Sequence, residues 1–170
     1  GRLLPRKILE LPAKGCINVH SSLLPKYRGA APINWAVLNG EEETGVTIMY
    51  MAQELDAGDI IAQASTPIDP EETVESVHDR LAGLGARLLV QTVSRLEAGT
   101  AERTPQDGER ATYAPMLSRE LSPIDWTRPA REIHDQIRGL IPWPCASTDV
   151  IHGEMMKLYA VLEAGEATDA

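Results

Sequence analysis

Asn18 and His20 stand two residues apart in Cys16-Ile17-Asn18-Val19-His20, where the β-branched Ile17 and Val19 alternate with them. In a strand that spacing puts the two polar side chains on one face and the apolar pair on the other. The strand must end at His20, because Ser21-Ser22-Leu23-Leu24-Pro25-Lys26-Tyr27-Arg28-Gly29 is dense in turn residues. An amide donor beside an imidazole, whose ordinary pKa is about 6.5, can polarise a carbonyl and move a proton while an amine attacks it. Spacing alone is equally consistent with a polar pair on a solvated face. Asp56, in Glu54-Leu55-Asp56-Ala57-Gly58, is a carboxylate that could orient His20 as the third group of a triad does. An aspartate beside a glycine is also an ordinary turn residue, and Asp59 competes for the same role.

The loop after His20 has further chemistry open to it. Leu23-Leu24-Pro25 makes a stiff apolar wall for a flat aromatic ligand, and Lys26 and Arg28 suit carboxylates or phosphates. The alternative is a buried turn flanked by surface cations. His78, His134 and His152 fall in separate elements without metal-ligand spacing, so no zinc site is expected. Cys16 reads as a small buried residue of its strand, and Cys16 and Cys145 form no CxxC pair. No GxSxG, P-loop or GxGxxG occurs in these residues.

These groups need a scaffold, and the pattern of the chain supplies one. A short helical turn is expected over 6–11, closed by Pro12 and Gly15, and a helix over 31–39 with Pro32 in its first turn and Gly40 just beyond. Residues 45–51 and 59–63 alternate as strands around the Asp56 loop. Val74, Val77, Leu81, Leu84, Leu88 and Leu89 then recur at helical spacing. That helix is expected to start at Asp69 as cap, with Pro70 next and Glu72 completing a capping box, and to stop at Gly99. The order strand, loop, helix, strand, strand, long helix predicts an α/β domain with segregated layers, and open α/β sheets bind ligands beyond the carboxyl ends of their strands. From Gly99 to about Leu121 the pattern lapses, which predicts a domain edge and linker. A second unit begins at Ile124-Asp125-Trp126, with a helix near 129–138, a proline-rich turn and two strands joined near His152-Gly153.

Hydrophobic residues are 43% and charged residues 24% of the 170, the balance of a core-forming soluble protein. Aromatics are 4%, with no Phe, so Leu, Ile, Val, Ala and Met must fill the core. A net charge of −9 argues against a general nucleic-acid surface while leaving room for a local basic patch. No apolar run approaches the roughly 18 residues of a membrane span. The chain opens without Met on an apolar segment and stops soon after the expected hairpin, which suggests a fragment cut at both ends.

Read together, Cys16 through Ile33, then Glu43-Thr44-Gly45-Val46-Thr47-Ile48-Met49, then Leu55-Asp56-Ala57-Gly58-Asp59-Ile60, closely resemble the folate-dependent formyltransferases, most of all the branch acting on methionyl-tRNA. The resemblance implies that Asn18, His20 and Asp56 are the catalytic trio, in order and spacing, and that Asp59 lies outside it. It implies that Ser22, Leu23, Leu24 and Pro25 line the folate site and that Arg28 helps position the tRNA acceptor end. The implied cosubstrate is 10-formyltetrahydrofolate, with no metal. The implied partner is initiator methionyl-tRNA, and the implied enzyme is a monomer of the bacterial cytoplasm or an organellar matrix, with no membrane.

The resemblance continues through Ala111-Thr112-Tyr113-Ala114-Pro115, Ile124-Asp125-Trp126, and Ile137-Arg138 ahead of Pro142-Trp143-Pro144. It implies residues 1–112 as the C-terminal half of a Rossmann-like catalytic domain, 113–122 as linker, and 123–170 as the start of a small OB-like β-barrel that contacts tRNA. Relatives acting on glycinamide ribonucleotide share the trio and Leu-Leu-Pro-Lys-Tyr but lack the Arg-Gly-Ala-Ala-Pro-Ile continuation and the second unit. Formyltransferases acting on a 4-amino sugar nucleotide are closer, and a folate-binding fragment without activity is the reading from another class. One residue departs from the family pattern: Cys145 stands where a Gly usually follows Trp-Pro, so a positive φ there would strain it.

Overall fold

The computed structural model describes residues 4–149 and 153–161. Its centre is β3 (Glu43–Tyr50), in which every residue from Thr44 to Met49 is buried. Such a strand is covered on both faces. It lies between β1 (Ile17–His20) and β4 (Ile60–Pro67), antiparallel to both, with His20 opposite Thr47 and Thr47 opposite Gln63. The 51–59 connection is too short for a parallel crossover, so β3 and β4 form a hairpin.

One face of the sheet packs on α3 (Val74–Glu97), whose Val77 and Leu81 join Val46, Ile48 and Ile61 in the core. The approach is close enough that a Cβ on Gly85 would sit 3.2 Å from Val19 Cγ1. Alternation along β1 therefore turns Asn18 and His20 to the opposite face, where the 21–29 loop lies. The loop ends in β2 (Arg28–Gly29), paired in parallel with β5 (Tyr113–Ala114), and leads into α2 (Pro32–Leu38). A helical turn, α1 (Arg6–Leu9), precedes β1.

Beyond β5, α4 (Ala130–Gly139) packs on α2: a Cβ on Gly139 would lie 2.8 Å from the Leu38 side chain, and Asn34 donates to Gly139 O at 2.9 Å. Ile133, Ile137, Leu140 and Ala146 form a second core with Leu38, Leu121 and Leu158 around it. The expected strand pair is present as β6 (Ala146–Thr148) and β7 (Met156–Leu158), antiparallel; His152 of the expected turn lies outside the described residues. Among the described residues no helix is long and apolar enough to cross a membrane.

Two expected features change. The segment expected as domain edge contributes β5, and Thr104 pairs with Ile60 in an isolated bridge. The long helix begins at Val74 with Thr73 as its N-cap, later than the expected Asp69 start. Glu72 does accept from Asp69 N at 2.9 Å, the return half of a capping box, but the carbonyls of Asp69 and Glu72 point to the Arg138 guanidinium of α4, at 3.4 and 2.9 Å. Those residues form a turn that docks the second unit instead of a first helical turn.

The Arg80 guanidinium grips Glu72 and holds its carboxyl down to about 2, against an ordinary 4.5. A depressed carboxylate stabilises the fold above its unfolded pKa, and the contribution disappears as pH falls through the folded value. Glu72→Gln is expected to destabilise by about 1–2 kcal/mol at pH 7, the pair being partly exposed. Urea titrations should show the gap from the parent closing between pH 4.5 and 2. Cys145 has φ +65° and is 1% exposed, so the strain expected of a non-glycine residue there is present. Cys145→Gly should be more stable than Cys145→Ala by about 1 kcal/mol in the same assay, the reverse of their order in ordinary backbone.

Candidate active site

His20 closes β1 with 6% of its surface exposed, and both ring nitrogens face protein groups. Nε2 lies 2.8 Å from Tyr27 O. A carbonyl only accepts, so Nε2 carries the hydrogen and Nδ1 is the nitrogen left for chemistry. Nδ1 faces Asp56 Oδ2 at 3.7 Å. That exceeds a hydrogen bond but is short enough for the carboxylate to support positive charge on the ring. In the serine-protease triad Nδ1 serves the aspartate and Nε2 the substrate. Here a main-chain carbonyl holds Nε2, so any group that exchanges a proton with His20 would share the Nδ1 side with Asp56.

Tyr27 is fixed for this task. Its φ is +61°, and its phenol donates to Glu41 at 2.7 Å and accepts from Asn39 at 3.0 Å. Burial pushes the phenol pKa up to about 12, keeping it protonated. Lys26, a candidate for anionic ligands, reaches Glu41 at 3.0 Å.

Asp56 also adopts a left-handed conformation, φ +48°. Its Oδ2 accepts from Gly29 N at 2.9 Å, so one carboxylate oxygen faces both the loop main chain and His20. Gly58 permits the turn to lie against β3, since a Cβ there would be 1.7 Å from Tyr50 O. The geometry brings Asp56, and not Asp59, to His20. Asp59 instead borders a separate 500 Å³ cleft with Arg6 and Arg103. Asn18 shares the His20 face of β1, half-buried, and among the described residues its amide has no hydrogen-bond partner.

The 22–25 segment is held from beneath by Thr47, which is fully buried. Its hydroxyl accepts from Leu24 N at 3.1 Å and from Gln63 Nε2 at 2.8 Å, and donates to Ser22 O at 2.7 Å. Gly45 leaves room for Leu23, whose Cδ2 would lie 2.5 Å from a Cβ there. Leu23, Leu24 and Pro25 line a cavity of about 370 Å³ with Lys26, Glu41 and Arg110, and neither Ser22 nor the trio borders it.

Arg28, expected to help position the tRNA acceptor end, is turned inward and only 4% exposed. Its Nε and Nη2 donate to Gln106 Oε1 at 3.1 and 2.9 Å, and its Nη1 donates to Glu54 at 3.2 Å. The Tyr27 carbonyl, the Gly29 N–H, Thr47 and Gln106 were not singled out from sequence. Main-chain atoms carry no residue signature, and Gln106 sits where apolar periodicity lapses. Among the described residues no three His, Cys, Asp or Glu side chains converge as metal ligands would.

Residues 1–93 match the formyl transferase family and residues 116–170 match the formyl transferase C-terminal domain. The chain is 58% identical over 159 residues to the methionyl-tRNA formyltransferase of Moorella thermoacetica, covering 94% of this chain and 51% of the relative. It is 52% identical to that of Pelobacter propionicus, covering 94% and 50%. The chain thus spans about half the length of these curated relatives. Among solved structures it resembles the N-formyltransferase from Helicobacter canadensis in complex with folinic acid and dTDP-3-aminofucose, with TM-score 0.66 and 30% identity over 72% of this chain and 46% of that one. With one model matching more than half of its residues and another matching its far end, the chain belongs to the formyl transferase family.

Proposed function

We propose that the full-length protein carrying this chain transfers the formyl group of 10-formyltetrahydrofolate to the α-amino group of methionyl-initiator-tRNA, for translation initiation. The observation that carries the reading is the meeting of Asp56 with a buried, singly oriented His20 on the face that also bears Asn18. The curated relatives, both named methionyl-tRNA formyltransferase, support this acceptor.

In this mechanism the amine attacks the formyl carbon, forming a C–N bond and a tetrahedral oxyanion. The Asn18 amide donates to that oxygen. His20 takes the amine proton at Nδ1, directly or through a water, with Asp56 balancing the charge, and returns a proton to the departing folate nitrogen. Ser22 to Pro25 line the folate site over the Thr47 support. A tRNA phosphate at Arg28 would replace Glu54, the exposed one of its partners. In this reading residues 1–112 belong to the C-terminal half of a Rossmann-like catalytic domain, 113–122 are the linker, anchored at its start by the pairing of β5 with β2, and 123–170 begin an OB-like tRNA-contacting domain. The enzyme acts in the cytoplasm as a monomer and uses no metal.

A second reading keeps the trio and changes the acceptor to a 4-amino sugar nucleotide. It draws on the Helicobacter canadensis structure, which holds an amino-sugar nucleotide. Offering the full-length protein both acceptors in parallel separates the two: formylation of the sugar alone would overturn the tRNA assignment. Asn18→Ala should lower turnover on the order of 100- to 1000-fold. His20→Ala and Asp56→Ala should be similarly impaired, with thermal unfolding unchanged in Asn18→Ala and lowered in the other two, which leave the Tyr27 carbonyl or the Gly29 N–H unpaired; near-normal turnover in Asp56→Ala would sink the trio. Thr47→Val, which removes the support of the 22–25 segment, should raise the KM for the folate about tenfold, an amount set by one or two lost hydrogen bonds.

A further inference from the structure

Gln106 lies in an irregular stretch between α3 and β5, outside the proposed reacting groups, yet the bonding capacity of its amide converges on them. Nε2 donates to Asp56 O and to Gly58 O, both at 2.8 Å. Oε1 accepts twice from Arg28. The amide can adopt no other orientation: both carbonyls only accept and the guanidinium only donates, so a flipped amide would oppose like groups on each side. Arg28 thereby fixes the amide oxygen, and the amide nitrogen holds two carbonyls of a turn in which a non-glycine residue sits at φ +48°. That conformation persists only where its surroundings impose it.

We propose that Gln106, anchored by the buried Arg28, is the positioning residue for Asp56. It clamps the 56–58 turn from the main-chain side, so that the carboxylate reaches the Gly29 N–H and His20 Nδ1 together. Without the two donors, the Asp56 and Gly58 carbonyls lose their partners in a part-buried setting, and the turn relaxes toward solvent with its carboxylate. This rests on the reading of Asp56 as part of the reacting trio.

Gln106→Glu in the full-length protein tests the clamp. The substitution keeps volume and strengthens the hold on Arg28 but removes both donors to the turn. Hydrogen exchange should be faster at residues 55–59 in the variant and unchanged in α3. Turnover should fall about 100-fold, as for a reacting group displaced by about 1 Å, with acceptor KM within twofold and the same midpoint of thermal unfolding. In an Asp56→Ala background the same substitution should cost less than twofold further, because both changes act through one carboxylate. Unchanged exchange at 55–59 overturns the clamp whether or not the protein is active. So does near-parental turnover in Gln106→Glu, or a loss that multiplies fully on top of Asp56→Ala. An unsubstituted protein that forms no formylated product from either acceptor overturns the proposed function instead, and the exchange measurement still judges the clamp.

Discussion

The segment after β1 buries Ser22, Leu24, Tyr27 and Arg28, and main-chain polar groups in such a setting must find partners within the protein. A buried amide or carbonyl left unpaired costs more than a typical hydrogen bond contributes. Thr47 satisfies Ser22 and Leu24 from the central strand, His20 satisfies Tyr27, and Thr112 accepts from Tyr27 N and Arg28 N through its hydroxyl and carbonyl. Two bonds of this loop also orient the side chains of the candidate site. The Tyr27 carbonyl selects the nitrogen of His20 that stays free, and the Gly29 N–H aims the Asp56 carboxylate. Satisfaction of the loop and orientation of the site are therefore one physical requirement.

That requirement explains the unusual backbone at the site. Tyr27 and Asp56 are non-glycine residues with positive φ, and each presents a polar group to His20. Strain of this kind is retained where the surroundings over-determine it. For Tyr27 the surroundings are a buried phenol bound by Glu41 and Asn39. For Asp56 they are the Gln106 amide and the tight fit of Gly58 against β3.

The second unit is joined to the first by similar means. Arg138 of α4 is 4% exposed, bonded to Asp135 at 2.7 Å and to main-chain carbonyls of the turn before α3. The Leu38 side chain of α2 belongs to the core of α4. Burial of a charge is tolerable only with this degree of pairing. The pairing shapes the turn before α3, whose carbonyls are directed to Arg138 and whose helix is delayed.

Much of this protein is legible in its residues. Alternation put Asn18 and His20 on one face, Pro and Gly marked the ends of α2, and helical spacing from Val74 to Leu89 specified α3, because these are local consequences of backbone geometry. The resemblance singled out Asp56 over Asp59 through the Leu-Asp-x-Gly loop. Tertiary structure alone decided which His20 nitrogen is free, the inward turn of Arg28, the clamp at Gln106 and the late start of α3. Each depends on a carbonyl, an amide or a buried partner many residues away in the chain, and such partners are fixed only when the interior closes and every polar group within it must be paired.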